Sequence, residues 1–325
     1  MKRLLGVVLL ACATLSAGAA QSLKVIVFPG GFNWPLWVAR EKGFFVAQDL
    51  DVEVTPTPNS VFQMQNLAAG KFDIAFSTVD NVVAYQEGQG EAPLAAAPDF
   101  FVFMGGQYGA VRLVARPEIR SIADLKGRKL AVDAATTGYA FVMRKLLQQG
   151  GLAESDYELE KLGGTAARAE ALLQGKTDAT ILTSPLEIVP EARGFRRLAN
   201  AVDAIGPYQA VSGVARRGWA RDNADALVGF IRAYVEASEW LRKPANRAEA
   251  VAIYRRNLPQ ASEESAQAAW DVLLTGPEGL QRRAALSREG VDTVLRLRSE
   301  FGRPRKLLTD VDRYIDETYY RKAVQ

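Results

Sequence analysis

The stretch Leu67-Ala-Ala-Gly70-Lys71-Phe-Asp73-Ile-Ala-Phe-Ser77-Thr78 returns 105 residues later as Leu172-Leu-Gln-Gly175-Lys176-Thr-Asp178-Ala-Thr-Ile-Leu182-Thr183. Leu, Gly, Lys, Asp and the final Thr keep their offsets in both copies. Each copy reads as a helix end, a glycine stop, a short apolar strand, and hydroxyls where the next helix begins. Glycine after the last turn can take the left-handed conformation that other residues resist. A Ser or Thr after a strand can cap the N–H groups of the helix that follows. Chance reuse of a common strand-to-helix turn is the competing account. If the repeat is real, the chain holds two similar α/β lobes, each aiming a polar helix N-terminus into the space between them. Two long copies are too few for a solenoid.

The ends and the composition narrow the function. Met1-Lys2-Arg3 precedes an apolar run from Leu4 to Leu15 and the small residues Ser16-Ala-Gly-Ala-Ala20, the pattern of an export signal. Cleavage near Ala19 or Ala20 predicts an exported, periplasmic chain. Leu9-Leu10-Ala11-Cys12 also resembles a lipobox, which would leave a lipid on Cys12 instead. Cys12 is the one cysteine, so the mature chain has no disulfide and must rely on its core. The net charge is +3, and loss of Lys2 and Arg3 reduces it further, which argues against nucleic-acid binding. There is no histidine. That removes Ser-His-Asp and Cys-His chemistry and the commonest transition-metal ligand, and no phosphate-loop or EF-hand motif appears. No enzyme, metal or cofactor is expected.

Strand-like and helix-like segments alternate through the first two thirds. Strands are expected at 23–28, 51–54, 73–76, 100–104, 129–132 and 178–182, and helices at 34–42, 61–69, 79–87, 139–149 and 165–174. That alternation predicts parallel sheets covered by helices on both faces. Ser184-Pro185-Leu186-Glu187 reads as a capping box with Pro at the first helical position. An extended segment is expected at 209–216. Beyond Trp219 the pattern is helical, at 224–241, 247–257, 262–274, 287–301 and 311–322. If segment 209–216 returns to the first sheet, the second lobe is an insertion and the boundary is a hinge.

Asn33-Trp34-Pro35-Leu36-Trp37-Val38-Ala39-Arg40-Glu41-Lys42-Gly43-Phe44-Phe45, followed by Leu50-Asp51-Val52-Glu53-Val54, resembles the N-terminal signature of the NMT1/THI5-like periplasmic solute-binding proteins. Both repeat copies, Asp124-Leu125-Lys126-Gly127-x-Lys129 and the ending Tyr314-Ile-Asp316-x-x-Tyr319 are similar to that family too. The resemblance covers essentially the whole mature chain. It implies a type II periplasmic-binding-protein fold with two α/β lobes, a hinge and a helical C-terminal region. Lobe 1 would comprise 21–110 and 213–325, lobe 2 would comprise 111–212, and 1–20 would be the signal peptide. The implied function is capture of a small ligand and delivery to the membrane permease of an ABC importer, by a protein expected to act as a monomer. Such importers serve nitrate, sulfonates, taurine and thiamine-related pyrimidines. Enzymes related to this fold lean on Cys or His, and a sensory module is the other alternative.

In such a fold the ligand meets loops at the carboxyl ends of strands, where helix N-termini point into the cleft. Phe32, Asn33 and Trp34 are candidates for stacking and polar contact, with Trp37 assigned to the core. Ser77, Thr78 and Thr183 end the two repeat strands. Thr136, Thr137, Gly138 and Tyr139 offer hydroxyls and a close backbone approach at a helix start, a cradle for an anion or polar head. Tyr208 completes the expected set. Arg144 is a possible partner for an acidic ligand but reads better as a solvated arginine. The anticipated pocket is amphipathic, suited to an anionic or to an aromatic or heteroaromatic organic ligand.

Overall fold

The computed structural model describes residues 20–325, so the export signal and Cys12 lie outside the described residues. Among the described residues twelve strands run in chain order: β1 (Gln21–Val27), β2 (Leu50–Pro56), β3 (Ile74–Thr78), β4 (Phe100–Met104), β5 (Gln107–Tyr108), β6 (Val111–Ala115), β7 (Lys129–Val132), β8 (Glu158–Lys161), β9 (Ala179–Thr183), β10 (Arg196–Asn200), β11 (Val211–Arg216) and β12 (Gly279–Leu280). Between and after them lie α1 (Trp34–Glu41), α2 (Ser60–Ala68), α3 (Val79–Gln86), α4 (Gly138–Gln149), α5 (Thr165–Leu173), α6 (Ile188–Ala192), α7 (Ala201–Ile205), α8 (Arg217–Asp222), α9 (Ala224–Leu241), α10 (Arg247–Asn257), α11 (Glu263–Trp270), α12 (Arg288–Phe301) and α13 (Thr318–Val324).

Two five-stranded sheets carry the architecture, in the orders β2-β1-β3-β11-β4 and β10-β6-β9-β7-β8. They are mixed rather than parallel, which corrects the sequence expectation. In the first sheet β11 runs antiparallel to β3 and β4, and in the second β6 runs antiparallel to β9 and β10. The reason is topological: β6 and β11 carry the chain from one sheet into the other and back, so neither is joined to the preceding strand of its own sheet by a single covering helix. A βαβ crossover, which enforces parallel pairing, is absent there. Strands β5 and β12 form a separate antiparallel pair.

The repeat is physical. Gly70 and Gly175 both end a helix with positive φ, at 72° and 70°. Asp73 donates its N–H to Lys24 O at 2.9 Å and accepts from Lys24 N at 2.8 Å through Oδ2. Asp178 does the same to Lys129, at 2.8 and 3.0 Å. Lys24 and Lys129 stand at the same offset, so the duplication extends back to the preceding strand of each sheet.

Two expectations fail after the second copy and near the C-terminus. Ser184 does not cap a helix: its N–H donates to Ala110 O, its hydroxyl hydrogen-bonds the Glu187 carboxyl, and α6 begins only at Ile188. The anticipated helix at 262–274 is α11 followed by a π-turn at Asp271–Thr275, and that at 311–322 splits into a short 3₁₀ turn (Val311–Arg313) and α13.

The C-terminal helices cover the first sheet. In α9, Leu227, Phe230, Ile231, Tyr234 and Leu241 recur at helical spacing and are buried. Each such side chain stabilises the fold by about 1.5–3 kcal/mol on burial. Trp34 belongs to this core, fully buried against Tyr254 (ring centroids 4.5 Å apart) and Trp270 (5.9 Å), with its indole N–H donating to Ala250 O at 3.1 Å. Among the described residues no helix is long and apolar enough to cross a membrane.

Candidate functional site

A cavity of about 30 Å³ lies where the carboxyl ends of strands from both sheets meet. The first sheet contributes Phe28 and Phe32 from the loop after β1, Thr78 and Asn81 around the start of α3, and Val211 of β11. The second contributes Asp133, Thr137, Gly138 and Tyr139 between β7 and α4, Gly164, Thr165 and Arg168 at the start of α5, and Thr183 at the end of β9. The N-termini of α3, α4 and α5 therefore converge there. None of their cap residues, Thr78, Thr137 and Gly164, makes a side-chain cap hydrogen bond. Orphan first-turn N–H groups with their helix dipoles favour negative charge, at about 0.3–1 kcal/mol per helix.

Arg168 is the dominant charge. It is 1% exposed, and four of its N–H bonds are used internally. Nε donates to Thr180 Oγ1 (3.0 Å), Nη1 to Gly163 O (2.7 Å), and Nη2 to Thr165 Oγ1 (3.2 Å) and Ile181 O (3.1 Å). All four acceptors are neutral. Burial pulls its pKa down from the usual arginine value, opposed by the charge of Asp133. Asp133 shares the cavity but forms no ion pair with it. Its Oδ2 accepts from Ser60 N across the cleft at 3.0 Å, while its Oδ1 is buried without a hydrogen-bond partner. The hydroxyl of Tyr139 is likewise buried and unpartnered, and burial raises its pKa far above the usual phenol range.

The other charges near the cavity are neutralised. Asp80, in the first turn of α3, is held by both arms of Arg298, at 2.6 and 2.8 Å. Arg298 also donates to Thr136 O and lies 4.6 Å from the centroid of the Phe141 ring. Glycine at 138 is required by packing: a Cβ there would sit 2.6 Å from Asp80 and 2.7 Å from the Tyr208 hydroxyl. This is where α4 of the second sheet comes against α3 of the first. Gly164 N to Pro58 O (3.0 Å) and Thr136 Oγ1 to Glu91 (2.8 Å) are further links across the cleft.

Of the residues singled out from the sequence, the cavity gathers Phe32, Thr78, Thr137, Gly138, Tyr139 and Thr183. Five others stand elsewhere. Trp34 is in the core of the C-terminal helices, because α1 turns its ring away from the second sheet. Asn33 does not face the cavity but ties the loop, donating from Nδ2 to Phe28 O at 2.7 Å. Ser77 is buried behind it, accepting from Asn81 Nδ2 at 3.0 Å. Thr136 spends its hydroxyl on Glu91, and Tyr208 lies behind Tyr139 with ring centroids 6.3 Å apart. Arg144 packs over Phe141 and pairs loosely with Glu154 at 3.8 Å. Sequence reading missed Asp133 and Arg168. Arg168 stands 105 residues after Gln63, but only the structure shows that both positions are buried.

A larger groove of about 510 Å³ opens on the other side of Pro29–Gly31, between α5, α6 and Tyr254. Its lining is mostly apolar and its charged residues, Glu170 and Arg193, are exposed, so the smaller cavity, with its buried Arg168, is the better candidate for a polar ligand.

The sequence model of a family described as NMT1/THI5 like matches residues 33–248. A Haemophilus influenzae protein named for thiamine biosynthesis is 28% identical over 145 residues, which is 44% of this chain and 43% of that protein. A Brucella abortus protein named as a binding protein is 26% identical over 219 residues, 66% of this chain and 65% of that one. The chain thus matches between two fifths and two thirds of the length of these relatives. The periplasmic nitrate-binding protein NrtA from Synechocystis superposes with a TM-score of 0.79 at 16% identity, over 94% of this chain and 89% of that structure. The fold is that of the two-lobed periplasmic binding proteins.

Proposed function

Because the chain belongs to the NMT1/THI5-like family, we propose that it is an extracytoplasmic solute-binding protein. It captures a small organic ligand, anionic or aromatic to heteroaromatic, and delivers it to the permease of an ABC importer. The observation that carries this reading is Arg168, a buried cation at an interlobe cavity whose protein partners are all neutral. A buried charge without a counter-charge in contact is costly. An anionic or strongly accepting ligand group would lower that cost.

We assign lobe 1 to 21–110 with 213–325 and lobe 2 to 111–212, joined by a hinge. A cavity of about 30 Å³ holds little more than one or two water-sized groups. An organic ligand therefore enters through separation of the lobes and stabilises their closure through contacts with both. Phe28 and Phe32 offer ring faces to the body of the ligand. The sequence has no histidine, and its one cysteine lies at position 12, so neither an imidazole base nor a thiolate is available at the cavity. Binding without covalent chemistry is the reading that fits, with export by the N-terminal signal and a monomeric working form.

Native mass spectrometry of the mature chain, purified gently from the compartment to which it is exported, tests this. A small adduct released on mild unfolding is the expected result. A clean protein mass, together with no thermal stabilisation by sulfonates, nitrate, aromatic acids or pyrimidines, would overturn it.

A further inference from the structure

The cavity contains two opposite charges that do not meet. Arg168 projects from α5, and Asp133 from the loop after β7, on the same wall of the cleft. One oxygen of Asp133 accepts from Ser60 N, but its Oδ1 is buried with no donor. An arginine has five N–H donors, and Arg168 uses four of them on neutral protein groups. The Tyr139 hydroxyl adds a buried group that can donate or accept. Opposite this wall the first lobe presents Phe28, Phe32 and Val211, with no charge.

We propose that Asp133 selects for ligands that carry an N–H or O–H donor in addition to their anionic or accepting end, so that the cavity takes amino-substituted organic anions or amino-heterocycles in preference to simple anions. The inference rests on the reading of this cleft as a ligand site. An acceptor-only anion such as nitrate would satisfy Arg168 and the helix N-termini. It would also leave the Asp133 oxygen buried without a donor and repelled by the new charge. Sites built to bond a donor reject analogues that lack it, because the unpaired protein group is left desolvated. A donor-bearing ligand pairs with both charges at once. It can still lay an apolar face on Phe28 and Phe32.

Matched probes test this by calorimetry on the mature protein: 2-aminoethanesulfonate against ethanesulfonate, 3-aminopropanoate against propanoate, and 4-aminopyrimidine against pyrimidine. At least one donor-bearing member is expected to bind tenfold or more tightly than its partner. The pair that does so identifies the anionic or the heterocyclic source. In Asp133→Asn, whose amide can accept from Ser60 N while turning an NH₂ toward the cavity, that gap should fall to about threefold or less. Equal binding within every pair, or a gap unchanged in Asp133→Asn, overturns the role of Asp133 and leaves the cleft as a ligand site. If no probe binds, the adduct recovered from the native protein decides through its mass gain in D₂O. Exchangeable hydrogens support the inference and their absence overturns it. No binding and no adduct would sink both readings.

Discussion

Gln63 and Arg168 occupy the same place in the two halves of the molecule, 105 residues apart. Each projects from the helix before the repeated strand toward a main-chain carbonyl of that strand. Gln63 Nε2 donates to Phe76 O at 3.0 Å, and Arg168 Nη2 donates to the equivalent Ile181 O at 3.1 Å. The neighbouring positions also correspond: Phe28 with Asp133, and Ser60 with Thr165. The lobes therefore share a backbone and differ in polarity. Lobe 1 brings rings and a neutral amide, lobe 2 brings the cation and the carboxylate. Duplication supplies the scaffold, and on the reading proposed above the departures from it supply the recognition chemistry.

Replacing Arg168 by the residue of the other lobe should break that division with the largest effect. Arg168→Gln can keep a bond to Ile181 O, as Gln63 does to Phe76 O, but removes the charge from the cavity. Losing one partner of a buried charged contact costs about 2–5 kcal/mol, so affinity for the ligand recovered from the native protein should fall 30-fold or more. Gln63→Ala should change affinity less than about twofold, and lower stability by about 1–3 kcal/mol through its unpaired carbonyls. Calorimetry and urea unfolding of both variants separate the two roles. Comparable loss of affinity in both would mean that the asymmetry has no part in recognition.

Past the repeat, Glu87 and Glu187 are both buried but in opposite settings. Burial pushes the Glu87 carboxyl up, but hydrogen bonds from Lys306 and Tyr314 and the charge of Arg313 bring it below the usual carboxylate range. Burial pushes Glu187 up, and its hydrogen bond with the Ser184 hydroxyl offsets only part of that. The signs follow from linkage. Glu87, lowered in the folded state, contributes stability above its unfolded pKa of about 4.3 that is lost as pH falls through the folded value. Glu187, raised, contributes stability below about pH 4.3 that is lost as pH rises through its folded value. Glu87→Gln should therefore cost about 1–3 kcal/mol at pH 7, and less at pH 3. Glu187→Gln should gain relative to the native protein as pH rises. Parallel pH dependence of the two variants in urea unfolding would refute this pairing.

Where local pattern decides structure, the sequence was legible. Strands β4 and β7 and helices α9 and α10 stand where apolar spacing and glycine stops put them. Edge strands β8 (Glu-Leu-Glu-Lys) and β10 (Arg-Arg-Leu-Ala-Asn) escaped notice, because they are mostly charged or polar and at best half-buried, with little apolar alternation. The site was half legible. Hydroxyls and Gly138 announce themselves by standing between an apolar strand and the helix after it, whereas Trp34 is decided by packing against Tyr254 and Trp270, more than 200 residues away in sequence. Arg168 sits in Thr-Ala-Ala-Arg-Ala-Glu and looks like any surface arginine until the strand beneath it is known.

The smallest effect offers the sharpest test of the duplication. Asp73 and Asp178 each clamp the main chain of the adjacent strand through the same pair of bonds, so alanine at either should cost about 0.5–1.5 kcal/mol for the lost N–H···carboxylate contact. The two costs should differ only by what surrounds them. Asp178 also approaches Arg116 at 3.4 Å and Arg128 at 4.0 Å, both on the surface. Exposed pairs of that kind add about 0–1 kcal/mol and are screened by salt. Asp178→Ala should therefore exceed Asp73→Ala slightly at low ionic strength, and the two should converge in about 0.5 M NaCl. A gap that persists at high salt would show that the repeated clamp carries different weight in the two lobes, and that the correspondence is one of shape alone.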